Sequence, residues 1–116
     1  MFKETLKEIV HGVEGGRAAV LMGYDGLAVD QYSRDGFDIE TLGAELTMVL
    51  KEARKAALAL DVGQTREVSF RTESMTAVVR MLNDEYFLVL VLSPNGNHGK
   101  GRYLMRLSAP RLLREL

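Results

Sequence analysis

The stretch GGRAAVLMGYDGLAVDQY, Gly15 to Tyr32, decides the fold. It holds two apolar runs, Ala18–Met22 and Leu27–Val29, separated by Tyr24-Asp25-Gly26. An Asp-Gly pair between apolar runs is a strong hairpin signal, because a tight primed turn needs positive φ at its central residues. Glycine adopts positive φ without steric cost, and aspartate tolerates it. The first run is apolar on both alternating sets (Ala18, Val20, Met22 and Ala19, Leu21), so both of its faces should be covered. The second sets Leu27 and Val29 against Ala28 and Asp30, the pattern of a strand nearer an edge. A central hairpin strand with helices on both sides is the organising element this predicts.

Upstream, Phe2, Leu6, Ile9 and Val10 fall at helical spacing among Lys3, Glu4, Lys7 and Glu8, predicting a short helix that Gly12 and Gly15-Gly16 stop. His11 falls in its last turn and reads as a solvated residue near the helix's negative end. Downstream, Ser33-Arg34-Asp35-Gly36 is a polar loop, and Asp38 is placed to cap a helix running from Ile39 to Leu60. Thr41 stands where a capping box would have Glu or Gln, so the box is incomplete. The main inward stripe of this long helix is predicted as Leu42, Leu46, Val49, Leu50, Ala53, Ala57 and Leu60.

Its other side is less polar than a surface helix needs: Ala44, Met48 and Leu58 lie among Lys51 and Lys55. Two readings fit. These can be scattered surface apolars, which are common. Or the helix buries two sides, one on its own sheet and one on a second helix packed against small residues, a methionine and lysine stems.

Asp61-Val62-Gly63 ends the helix, and three strands follow. Gln64–Thr72 alternates Val68 and Phe70, expected inward, against Glu67, Ser69 and Arg71. Met75–Leu82 is apolar on both sets except Arg80, and Glu85–Ser93 is the most apolar and so the most central. Short connections make these an antiparallel meander. Two hairpin systems around one long helix give a five-stranded antiparallel sheet of α+β class, with Gln64–Thr72 at an edge that a second chain could extend. Lys100 to Leu113 is a last helix, with Tyr103, Leu104, Leu107 and Leu112 inward and a kink or break expected at Pro110.

The 116 residues suit a single domain, 1–116. The formal net charge of −1 gives no electrostatic case for nucleic acid or an anionic membrane. The absence of cysteine excludes disulfides, thiol catalysis and thiolate metal sites. No run reaches the ~20 apolar residues of a membrane span, and the charged N-terminus is not that of a signal peptide. A cytoplasmic protein without membrane insertion is expected.

Catalytic chemistry finds little support. Gly96 to Arg102 follows a strand and precedes a helix, but only two residues separate Gly96 from Gly99, and Gly101 stands where a phosphate loop carries Ser or Thr. Two histidines cannot supply a histidine triad for zinc, and the acidic pairs lie in turns rather than in buried segments that would tune them. The expectation is no enzyme, no cofactor and no metal.

The order helix, hairpin, long helix, three-strand meander, helix resembles the Roadblock/dynein-light-chain domain family, and most closely its bacterial, MglB-like branch. The likeness covers nearly the whole chain: the Asp25-Gly26 turn after a small-and-apolar strand, the Ile39–Leu60 helix after a polar loop, and the terminal meander. The resemblance implies that the long helix covers one sheet face and the terminal helices the other. It implies a homodimer in which the long helices pack side by side and the third strands pair at their edges. The dimer interface would then take Ala44, Met48, Lys51, Lys55 and Leu58 from the helix and Glu67, Ser69 and Arg71 from the strand. It further implies a Ras-like small GTPase as partner, held on the paired long helices and reshaped without a donated catalytic arginine. Lys51, Glu52 and Lys55 would be partner contacts, or simply a solvated stripe. The alternative function is a non-catalytic dimerisation scaffold that tethers other proteins, as in the light-chain branch.

Overall fold

The computed structural model describes residues 1–116. In chain order the elements are α1 (Phe2–His11), β1 (Gly16–Gly23), β2 (Ala28–Ser33), α2 (Ile39–Leu60), β3 (Glu67–Arg71), β4 (Thr76–Met81), β5 (Tyr86–Leu92) and α3 (His98–Glu115). The strands form one antiparallel sheet in the order β2-β1-β5-β4-β3. As their unbroken apolar runs predict, β1 and β5 lie inside it, each hydrogen-bonded on both sides. The third strand lies at one edge, also as expected.

Side-chain alternation divides the interior into two layers. Ala18, Val20, Met22, Ala77, Val79, Phe87, Val89 and Val91 face Ile39, Leu46 and Leu50 of α2. Ala19, Val78, Leu88, Leu90 and Leu92 face Leu6, Ile9 and Val10 of α1 and Met105 and Leu112 of α3. The long helix therefore covers one face and the terminal helices the other. On α2 the contact is close: a Cβ on Gly43 would sit 3.0 Å from Met22 Sδ, so a larger residue would make the Met22 side chain shift.

Four local expectations change. The β1–β2 turn is not a two-residue primed turn: Gly26 alone has positive φ (89°), and its N–H donates to the Gly23 carbonyl at 2.9 Å. Asp25 stays out of the left-handed region and instead uses Oδ1 to accept from Leu27 N–H at 3.0 Å. The register shifts between Leu21 and Met22, as a longer bulged turn requires.

The inward side of α2 ends early. Ile39, Gly43, Leu46, Thr47 and Leu50 are buried, but no residue beyond Leu50 is, and Val49 and Leu60, expected inward, are exposed. Twenty-two helical residues span ~33 Å, whereas strands of five to eight residues span only ~17–27 Å. The helix outruns the sheet beneath it.

In α3 the inward stripe is Gly101, Met105 and Leu112 with Leu104 packed beside it, while Tyr103 and Leu107, expected inward, are exposed. Its helix continues through Pro110, whose exposed position lets water meet the carbonyl that proline cannot engage. Phe70, the fourth case, lies on the α2 face at the sheet's rim and is 37 % exposed, because no helix reaches over β3.

Candidate functional site

Two surfaces stand out: the C-terminal half of α2, and the edge strand β3, whose Phe70 lies on the sheet face that α2 covers. Along α2, Ala44, Met48, Lys51, Lys55 and Leu58 recur at four- and three-residue steps and stand on one exposed stripe. Met48 is 66 % exposed and Leu58 82 %. Val49, Leu60 and Val62 add to the apolar surface around this helix end, and Phe70 to that on β3. The helix start is fixed by Asp38, whose carboxylate accepts from Thr41 Oγ1 at 2.7 Å and Thr41 N–H at 3.2 Å. Those two bonds, side chain first, hold the Asp38 carboxyl below its ordinary pKa. Its end is fixed by Asp61, in the left-handed conformation at φ 53°, whose N–H reaches the Ala57 and Leu58 carbonyls.

The edge strand presents its backbone. Met81 N–H donates to Arg66 C=O and Thr72 N–H to Met75 C=O, bracketing the β3–β4 ladder. Alternation then turns the N–H and C=O groups of Val68 and Phe70 toward β4, and those of Glu67, Ser69 and Arg71 outward. The side chains of Glu67 and Ser69 lie on the α3 side. Arg102 Nη2 donates to Ser69 Oγ at 2.8 Å, and Arg102 Nε lies 2.8 Å from Glu67 Oε2, a charge contact out of line for a hydrogen bond. With their side chains drawn to Arg102, Glu67 and Ser69 offer main chain at the edge.

Of the other residues singled out, Lys55 pairs with Glu52 across one exposed turn at 3.7 Å. Lys51 reaches over the Tyr24 ring at 5.3 Å, and Arg54 stacks on the same ring at 4.3 Å. Neither Tyr24 nor Arg54 stood out in the sequence; the signal available was that Arg54 follows Leu50 and Lys51 by one helical turn, beside the hairpin tip. His11 is not simply solvated: Nε2 lies 2.6 Å from Tyr32 Oη, and Arg34 Nη2 lies 3.0 Å from Nδ1. In the glycine-rich loop, Asn97 caps α3 by accepting from Lys100 N–H, and Gly101 is buried where a Cβ would sit 2.8 Å from Leu90 Cδ2. Both residues thus have structural roles there. No helix is long and apolar enough to cross a membrane.

Neither a protein-family model nor a curated protein matches the chain. Solved structures do. MglC from Myxococcus xanthus is 39 % identical over 97 % of both chains, with a TM-score of 0.71. A Roadblock/LC7 domain from Streptomyces avermitilis superposes at a TM-score of 0.89, with 18 % identity over 97 % of this chain and 95 % of that one. An MglB structure described in a tetrameric arrangement gives 0.85, at 22 % identity over 96 % and 84 %. Together with the element order and the sheet, these place the chain in the Roadblock/LC7 domain family, among relatives of the MglB and MglC kind.

Proposed function

We propose that this chain is one half of a homodimer joined through α2 and β3, and that the dimer regulates a Ras-like small GTPase by binding and reshaping it, with no catalytic residue of its own. The observation that carries the reading is the exposed apolar stripe of α2 together with an open strand edge in the sheet that α2 covers. Leaving a leucine or methionine in water forfeits about 1.5–3 kcal/mol relative to burying it. A twin α2 laid against Ala44, Met48 and Leu58 recovers this, with the stems of Lys51 and Lys55 covering the seam. The outward main-chain groups of Glu67, Ser69 and Arg71 then bond to their copies, and the sheet runs on through both subunits. The tetrameric arrangement described for the MglB relative supports self-association. The GTPase reading rests on the family's bacterial branch, with Lys51, Glu52 and Lys55 on the exposed side of the paired helices as the contacts.

Met48→Glu tests the seam. It places an unpaired charge between the helices, at a cost of several kcal/mol, so the variant should sediment as a monomer at micromolar concentration while the unaltered protein sediments as a dimer. Equal sedimentation of the two would move the seam elsewhere. GTP hydrolysis by a Ras-like GTPase encoded beside this gene, with and without the protein, tests the partner. A faster rate supports regulation, binding at an unchanged rate supports scaffolding, and no binding removes the GTPase.

A further inference from the structure

The opposite side of the molecule carries a second unpartnered surface. Helix α3 holds five of the chain's 15 Lys and Arg residues but one of its 16 Asp and Glu, so a chain of net charge −1 concentrates positive charge on one element. Arg102 is engaged by Glu67 and Ser69, and Arg111 by Glu8 and Thr5, at 2.7–3.1 Å. Lys100, Arg106 and Arg114 make no ion pair.

With Gly101, Met105 and Leu112 turned inward, the outward line is Lys100, Tyr103, Leu107, Pro110 and Arg114. Tyr103 is 49 % exposed and Leu107 57 %. The steps of three, four, three and four are those of a heptad seam, over about 20 Å of helix. Its centre is apolar and both ends are cationic. Arg106 flanks the centre, 5.6 Å from the Tyr103 ring centroid.

From this we infer that α3 is a docking surface for an amphipathic helix of another protein, whose apolar stripe meets Tyr103, Leu107 and Pro110 and whose Asp or Glu residues meet Lys100, Arg106 and Arg114. Charge complementarity selects the acidic partner. Arginine forks and an exposed tyrosine suit carboxylate-bearing protein surfaces, where both residue types anchor interfaces. An anionic bilayer fits less well, since a flat lipid surface would also meet the exposed carboxylate of Glu8, which lies against Arg111 beside α3. A narrow helix on the Tyr103–Leu107–Pro110 line need not reach it. The face is separate from the helix part of the twin contact, because α3 and α2 cover opposite sheet faces, and Arg102, the α3 residue that reaches β3, is not among its residues.

The test uses the full chain and a fluorescein-labelled synthetic helix of about three heptads, with leucines on one stripe flanked by glutamates. Fluorescence anisotropy should show saturable binding that weakens as salt rises, and no binding of the same helix with lysines for glutamates. The double variant Arg106→Glu, Arg114→Glu should bind about tenfold or more weakly, a loss of about 1.4 kcal/mol or more. Leu107→Ser should weaken binding as well, while Met48→Glu should leave it unchanged. All of these substitutions are at exposed positions, and circular dichroism checks that each variant is folded. Failure of the acidic helix to bind, or equal binding by the double variant, overturns the proposal. So does a preference for phosphatidylserine vesicles over the peptide, which would assign the face to lipid.

Discussion

The sheet ends in two edges that the chain treats in opposite ways. On β2, Arg34 N–H donates to Arg17 C=O, so alternation turns the main chain of Gln31 outward. That residue is answered from within the subunit: Lys3 Nζ donates to its carbonyl at 2.9 Å, and its N–H donates to Asp30 Oδ1 at 2.8 Å. On β3 the outward groups of Glu67, Ser69 and Arg71 have no main-chain partner within the subunit. An unguarded edge invites association, and its Val68 and Phe70 turn toward the sheet face that α2 covers. The contrast teaches that exposure is directed. At one edge a lysine from α1 meets the outward carbonyl of Gln31, and at the other no side chain meets the outward main chain of β3.

Proline placed at neighbouring positions of β3 breaks this contrast most sharply. Val68→Pro removes a donor that points into β4 and should cost about 3 kcal/mol or more of monomer stability, read as a fall in the denaturation midpoint. Ser69→Pro removes a donor that points outward, where edge strands tolerate proline. It should leave the midpoint nearly unchanged yet shift sedimentation from dimer to monomer. Equal destabilisation by both would show that the outward register of Ser69 is misassigned.

The two phenylalanines extend the test from backbone to side chain. Phe87 is fully buried at the sheet's centre, and Phe87→Ala should cost about 3–5 kcal/mol. Phe70 sits at the open edge and is 37 % exposed, so Phe70→Asp should cost the isolated subunit about 1–2 kcal/mol, well below Phe87→Ala, and weaken self-association as well. Chemical denaturation and sedimentation of the same samples separate the two effects.

Regular features were legible in the sequence because local rules govern them. The limits of α2 came from Asp38 and the Asp61-Val62-Gly63 stop, and the place of β5 from its unbroken apolar run. Which apolar residues are wet was less legible. Helical spacing puts Leu60 on one stripe with Leu46 and Leu50, but whether sheet lies beneath it depends on strand lengths. The phase error in α3 has a similar source. Tyr103 and Leu107 are apolar enough to read as core, while one residue of the true inward stripe beside Met105 and Leu112 is Gly101, which gives no hydropathy signal and is marked by Leu90 pressed against it. Glu67 and Ser69 could be placed on the edge strand from alternation, but Arg102, which holds both, lies 33 residues from Ser69. Tyr24 stayed hidden because its role depends on two cations arriving from α2.

A smaller effect should follow from opening the guarded edge. Lys3 is itself exposed, and its contact with Asp30 at 3.5 Å is a surface pair, so Lys3→Ala should change stability by about 0.5 kcal/mol or less. The Gln31 carbonyl, however, would then face solvent alone. Light scattering at rising concentration should show Lys3→Ala forming larger assemblies than the unaltered protein, with β2 now as available as β3. If the variant scatters no more than its parent, the lysine is not what closes that edge.

The smallest effect concerns the joint between β2 and α2. The loop that leaves β2 ends at Asp38, whose bonds to Thr41 start α2. Its carboxyl is held below the ordinary value of 3.8, first by the Thr41 hydroxyl and then by the Thr41 N–H. A depressed folded-state pKa means that the unfolded chain binds the proton more readily, so the stabilisation is complete above the unfolded value and is lost as pH falls through the folded one. Asp38→Asn keeps an N-cap acceptor but cannot titrate. Relative to that variant, the unaltered protein should hold a constant advantage at neutral pH and lose it progressively as acid carries the pH through and below the ordinary carboxylate range. Because Asp38 is fully solvated, salt should shrink the difference at every pH where it exists. A difference that persisted through the acid limb would mean that the cap acts through shape alone, and that charge has no part in fixing where α2 begins.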